Sequence, residues 1–214
     1  MKIGNVINLL KDPKMIKELL RFHAGGYLRQ IGWFESNRNN KPVDIDGQPI
    51  PWVTYSFIDF IRDRLDKTMT LLEYGSGNST LFYGSRVKNV HTVENDKGWF
   101  DEISRSMPSN VEMKYIDLVR GGEYSKYGQQ FPNTFDIVIV DGRDRVNCLK
   151  NSLGSLTARG VMVLDDTERT EYSEAIKFMV DKGFRKIDFS GIAPGVFYRK
   201  STTVFYRDNN CLKI

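Results

Sequence analysis

Residues 70 to 80 read TLLEYGSGNST, and in that stretch the carboxylate of Glu73 stands two residues before Gly75 and four before Gly77. Glycine at both places permits positive φ and removes side chains where a ligand would meet backbone, with Ser76 between them. Asn78, Ser79 or Thr80 can cap a helix beginning there. A dinucleotide turn of the form G-x-G-x-x-G needs a third small residue, but that position is Thr80, and no G-x-x-x-x-G-K-[ST] occurs anywhere in the chain. Glu73 would repel a pyrophosphate, whereas it suits an ammonium or a sulfonium. Two more acids follow at the ends of later apolar runs. Glu94, in HTVEND and nineteen residues after Gly75, stands where a carboxylate accepts both hydroxyls of a ribose. Asp117, in KYIDL, stands where a side-chain acceptor meets an adenine amino group. The ligand this describes is a nucleoside with a cationic, amino-acid-like tail and no phosphates. Nicotinamide oxidoreduction is disfavoured by Glu73, by Thr80 and by the lack of a Tyr-x-x-x-Lys pair.

These residues need a framework that brings strand ends together, and the rhythm of the chain after Met69 supplies one. Seven strand-like runs appear: TLLEYG, NVHTVEN, VEMKYID, FDIVIVDG, GVMVLDD, FRKIDFSG and STTVFYR. Helical periodicity recurs between them at 79–86, 97–106, 145–157 and 171–182. Alternation of this kind predicts an α/β, Rossmann-like doubly wound seven-stranded sheet, mostly parallel, with helices on both faces. The last two runs are joined by IAPGVFYRK, too short for a crossover helix, so the final strand is expected to be antiparallel. An N-terminal helical extension and substrate lid is expected over 1–68, ahead of a ligand-binding domain over 69–214.

In this order the motifs resemble those of the class I S-adenosylmethionine-dependent methyltransferases over about residues 70 to 207. LLEYGSGNST is similar to their first motif, VEND to the second and YIDL to the third, with FDIVIVDG and GVMVLDD as the fourth and fifth strands. More narrowly, GWFES, PVDIDGQPIPWVTY, EYGSGNST, VENDKGWF and DGRDRVNC resemble methyltransferase-like proteins of bacterial surface-polysaccharide gene clusters. The resemblance implies S-adenosylmethionine as cofactor. Glu73 would meet its methionine ammonium, Gly75, Ser76, Gly77, Asn78 and Ser79 would lie against the methionyl and ribose portions, Glu94 would hold the ribose and Asp117 would lie near the adenine.

Methyl transfer from a sulfonium is an in-line displacement, so the acceptor must be aligned and relieved of its proton. Asp141 follows a run too apolar for a core acid, beside Gly142, Arg143, Asp144 and Arg145. Asp165 and Asp166 end the next strand-like run. Asp141 and Asp166 are the candidate bases. Alternatively Asp141, Asp165 and Asp166 bind one Mg2+ or another divalent cation. Metal-dependent catechol-type O-methyltransferases resemble this arrangement, but their second position after strand five is Asp-Asn, and here it is Asp165-Asp166. The strand-four signature of amino-methyltransferases, Asp or Asn followed by Pro-Pro and an aromatic, is absent. O-methylation of a glycan or other small hydroxylated acceptor is therefore the expected reaction, with a non-catalytic ligand sensor or assembly subunit as the alternative.

Arg143 and Arg145 can bind an anionic acceptor through bidentate contacts, or else pair with neighbouring acids. Trp33, Trp52, Tyr55 and Trp99 can be core aromatics or can line a sugar face, with Trp52 and Tyr55 singled out for the acceptor, and GIAPGVFYRK is a second candidate for the acceptor wall. His91 reads as structural.

Length and composition agree with such an enzyme: 214 residues, 40% hydrophobic and 12% aromatic, are enough for a packed core. The 31 basic and 27 acidic residues leave a formal charge of +4 with no basic stripe, so nucleic acid is not the expected partner. Two cysteines without metal-type spacing fit a reducing cytoplasm, and no signal core or membrane-spanning run is expected. Over Val6 to Phe22 apolar residues recur at helical spacing among Lys11, Lys14, Lys17 and Arg21. One or two short helices broken at Pro13 are expected there, packed on the domain or, as the alternative, touching an anionic membrane. The pattern specifies no oligomeric state.

Overall fold

The computed structural model describes residues 9–214. A seven-stranded sheet in the order β3-β2-β1-β4-β5-β7-β6 forms its centre. The strands are β1 (Thr70–Tyr74), β2 (Asn89–Glu94), β3 (Val111–Tyr115), β4 (Phe135–Val140), β5 (Leu156–Asp165), β6 (Arg185–Gly191) and β7 (Lys200–Tyr206). The first five pair in parallel, and β7 inserts antiparallel between β5 and β6. The expected mostly parallel sheet with an antiparallel final strand is what forms.

Central strands are buried on both faces, which explains their unbroken apolar runs. Leu71, Ile137, Ile139 and Val163 face one core, and Leu72, Tyr74, Val138 and Val140 face the other. The helices lying against these faces are α5 (Asn78–Gly84), α6 (Lys97–Ile103), α7 (Glu123–Lys126), α8 (Arg145–Asn151) and α9 (Ser173–Asp181). They are shorter than their sequence periods because 3-10 turns complete three of them, at Ser104–Ser106, Leu153–Ser155 and Thr170–Tyr172. Helix α7, a single turn between β3 and β4, has no counterpart among the helical runs read from the sequence.

Ahead of the sheet lie α1 (Pro13–Ala24), α2 (Tyr27–Gln30), α3 (Trp33–Asn39) and α4 (Tyr55–Arg62). Pro13 starts α1 instead of breaking it, because proline lacks only an N–H that the first turn leaves unpaired, and Asp12 caps the helix by accepting from Met15 N at 3.0 Å. None of the helix's residues is fully buried, and it meets the domain at its C-terminal end, where the His23 ring lies edge-on to Phe34; the part of the expected helix before Leu9 lies outside the described residues. Helix α4 does pack, burying Tyr55, Phe57, Ile58 and Ile61 in the first core.

The chain runs outward from β1 through β2 to β3, returns to β4 and then continues to the other side. The strand order therefore reverses between β1 and β4, and a crevice opens beyond the carboxyl ends of those two strands.

Candidate functional site

Two tight turns meet at that reversal point. Gly75, at φ 95°, continues from β1, and a Cβ placed on it would lie 3.2 Å from Gly142 Cα. On Gly142 a Cβ would collide with the Tyr124 hydroxyl and sit 2.9 Å from Gly75 N. Only glycine lets the two backbones approach this closely. Gly77 is required by its backbone, at φ 152°, and lies beneath Trp99, whose Nε1 donates to Ser76 O at 3.0 Å.

Thr80 explains why a third glycine is missing. Its Oγ1 accepts from Gly77 N at 3.0 Å and donates to Glu73 Oε2 at 2.6 Å, so one hydroxyl ties the turn to the carboxylate. Glu73 is only 1% exposed. Burial pushes its carboxyl up to about 7, hydrogen bonds from Ser79 and Thr80 oppose this, and the Glu94 charge adds to it. Glu94 closes β2 and is held by Ser76 Oγ at 2.7 Å and by the backbone N–H groups of Asn95 and Asp96 at 2.7 and 2.9 Å.

A cleft of about 570 Å3 gathers these groups: Glu73, Gly75 to Ser79, Glu94, Trp99, Asp141, Arg143 and Arg145 all line it. Trp52 and, from the 191–200 segment, Val196, Tyr198 and Lys200 form further wall. The pre-sheet segment and that late loop are bonded together: Trp33 Nε1 donates to Val196 O at 3.0 Å and Trp52 Nε1 to Pro194 O at 2.7 Å. Asn78 Nδ2 donates to Pro42 O at 2.7 Å, which brings Asn40 and Lys41 over the turn.

Four expected site residues are placed elsewhere or otherwise engaged. Asp117 lies past the end of the edge strand β3, exposed and bonded to the Tyr115 hydroxyl, and does not line the cleft. Tyr55 is buried in the core with α4. Arg145 is not a free fork for an acceptor: its guanidinium lies 3.0 Å from Asp141 Oδ1 and 3.3 Å from Asp166 Oδ2, and it donates to Asp165 O at 2.7 Å. Asp166, in the left-handed region at φ 61°, is buried and paired with Arg145, Arg169 at 2.7 Å and Lys200 at 2.7 Å, outside the cleft lining.

The divalent cation expected of Asp141, Asp165 and Asp166 does not fit. Asp165 is fully buried and already accepts from Lys200 Nζ at 2.8 Å and Thr202 Oγ1 at 2.6 Å. Two cationic side chains, Lys200 and Arg145, thus occupy the position a metal would need, and among the described residues no cluster of ligating side chains suits one. The same network sets the electrostatics: burial and the Asp165 carboxylate push Asp141 well above the ordinary carboxylate range, with Arg145 and Lys200 pulling the other way. Asp166 is held below it by Lys200, Arg145 and Arg169 despite the opposing effect of burial. His91 packs edge-on against Phe131 and Phe135, in keeping with a structural role.

Sequence reasoning did not single out Lys200, Thr202, Lys41 or Arg169. Lys200 is the informative omission, because only the antiparallel pairing of β7 with β5, in which Asp165 faces Thr202, sets its amine among carboxyl-terminal strand ends.

No protein-family model matches the chain, and no curated protein does. Solved structures do. A methyltransferase-like protein from Silicibacter pomeroyi is similar at 20% identity and TM-score 0.52, over 74% of this chain and 89% of that one. The precorrin 8w decarboxylase of Methanobacterium thermoautotrophicum is similar at 14% identity and TM-score 0.54, over 79% and 97%. A Streptococcus mutans protein in complex with SAH is similar at 13% identity and TM-score 0.51, over 70% and 94%. Likeness at these identities is likeness of architecture, and by strand order, crevice and comparison alike the chain has the Rossmann-like methyltransferase fold.

Proposed function

We propose that this chain is an S-adenosylmethionine-dependent methyltransferase that methylates a hydroxyl of a glycan or other small acceptor bearing an anionic group. The observation that carries the reading is the convergence of Glu73, the Gly75–Ser79 turn and Glu94 on one wall of one cleft. A buried carboxylate, a side-chain-free turn and a second carboxylate fit an ammonium, a methionyl chain and a ribose in that order, and they do not fit a phosphate. The Streptococcus mutans neighbour, whose structure holds SAH, is consistent with this ligand.

S-adenosylmethionine, when bound, supplies an electrophilic methyl group. The chain's own residues must then orient the acceptor and take its proton. Asp141 lines the cleft at the end of β4, and its raised proton affinity suits a general base. In this reading the acceptor's hydroxyl proton passes to Asp141 Oδ, and S-adenosylmethionine, held by Glu73, the Gly75–Ser79 turn and Glu94, would supply the methyl group that the acceptor oxygen takes. Asp166, outside the cleft lining, positions Arg145 and Lys200 and does not meet the acceptor. Arg143, exposed beside the turn, and Tyr198 from the loop before β7 supply the cationic and aromatic contacts for an anionic, ring-shaped acceptor, and Trp52 adds a second aromatic face.

Isothermal titration with S-adenosylhomocysteine tests the reading. Micromolar binding that Glu94→Ala weakens by tenfold or more supports it, and absence of binding at high protein concentration refutes it. One observation favours a second reading, a ligand-binding subunit without turnover: Asp141 is held by Arg145 at 3.0 Å. Asp141→Asn separates the two, because an enzyme loses methyl transfer with ligand binding intact, whereas a subunit retains its whole function.

A further inference from the structure

Among the described residues, none buries the apolar face of helix α1. Met15, Leu19, Leu20 and Phe22 are 47%, 45%, 62% and 45% exposed, an unusual share for large apolar side chains on one helix. At 100° per residue they fall with Ile16 on one arc, and Lys14, Lys17 and Arg21 fall on the opposite one. Glu18 is the sole acid of the helix, and it is neutralised by Arg21 at 3.0 Å. The helix is also a defined object: Asp12 caps its start, and at its end the His23 ring stacks edge-on to Phe34, with centroids 4.8 Å apart, and lies 3.2 Å from Arg38.

We propose that α1 is a membrane-surface anchor, laid flat with its apolar face in the headgroup–acyl boundary of a bilayer that carries anionic lipid. The charge pattern decides the occupant. Lysines and arginine flanking an apolar arc complement a negative surface, and long basic side chains reach out to headgroups while the arc inserts. A second copy of this chain fits poorly. A two-fold contact would set the same face against itself and bring the flanking cations together, and five apolar side chains fall far short of the roughly 20–30 residues a side of a stable interface. Because α1 stacks on α3, whose C-terminal end leads directly to the cleft residues Asn40 and Lys41, the anchor would hold the cleft close to the bilayer.

Co-sedimentation of the full chain with vesicles tests the proposal, using phosphatidylcholine alone and phosphatidylcholine mixed with phosphatidylglycerol. The expected result is binding to the anionic vesicles that weakens with added salt, falls about fivefold for each of Lys14→Ala and Lys17→Ala, and is lost in Leu19→Glu/Leu20→Glu. All three variants should keep the wild-type thermal unfolding midpoint, since none of these side chains is buried. Failure of the wild type to bind anionic vesicles overturns the proposal, as does equal binding to neutral ones or unchanged binding by the Leu19→Glu/Leu20→Glu variant. Light scattering that shows a dimer dissociated by that variant would assign the face to a second copy instead.

Discussion

Glu73 offers the sharpest test of the cleft, because its ionisation and ligand binding must be linked. Its carboxyl is buried to 1% exposure and titrates at about 7, so at pH 6 only about one molecule in eleven carries the charge, against about ten in eleven at pH 8. If that charge receives an ammonium, affinity for S-adenosylhomocysteine should rise about tenfold between those pH values, or about 1.4 kcal/mol. Below pH 7 each binding event should release close to one proton, which calorimetry in buffers of different ionisation enthalpy reads directly. Glu73→Gln should abolish this pH dependence. At pH 8 it should weaken binding roughly tenfold to hundredfold, the worth of a hydrogen bond to a charged group. The stability of the ligand-free protein should move in the opposite sense. A folded value raised above the unfolded one favours folding below about 4.5, and that contribution disappears as pH rises through about 7. Glu73→Gln should therefore stabilise the ligand-free protein at pH 8 by up to about 3 kcal/mol. An affinity flat from pH 6 to 8 in the wild type, or a pH slope preserved in Glu73→Gln, would refute the assignment of this carboxylate to the ligand.

Lys200→Met should remove the buried cation that lies 2.8 Å from Asp165 and 2.7 Å from Asp166, and destabilise the fold by about 3–5 kcal/mol in urea titration at pH 7, as loss of one partner from a buried pair does. Without Lys200 the Asp166 carboxyl is no longer held as far below its ordinary range, so the deficit should shrink as pH falls and grow as it rises; a pH-independent deficit below about 1 kcal/mol would mean that the pair is not buried in solution. Gly142→Ala places a methyl against the Tyr124 hydroxyl and Gly75 N, and should cost about 1–3 kcal/mol in thermal unfolding while weakening S-adenosylhomocysteine more than Glu94→Ala does. Thr80→Val removes the hydroxyl that donates to Glu73 at 2.6 Å, so the pH midpoint of ligand binding should move upward from about 7.

Much of this was legible in order along the chain. Unbroken apolar runs such as FDIVIVDG identified strands covered on both faces, and acids just past such runs, Glu94 and Asp141, lie at the crevice because a buried strand excludes an unpaired charge until it ends. Asp117 obeyed the same pattern yet lies outside the cleft. Its strand is at the sheet edge, where the chain is free to turn outward, and position within a sheet is not written in a strand's own residues. The pairings of Arg145 and the burial of Tyr55 were open for the same reason: a charge or an aromatic looks alike in sequence whether or not its partner is present.

The chain's local chemistry, taken alone, determined the alternation of strand and helix, the glycine turn with its two carboxylates and the amphipathic character of α1, since periodicity and backbone freedom act over a few neighbouring residues. Tertiary structure alone decided that Lys200 stands among the carboxylates read as metal ligands. That ion pair joins residues thirty-five positions apart through an antiparallel strand inserted beside β5, and the pull of a buried carboxylate on an amine depends on their separation in space, not along the chain.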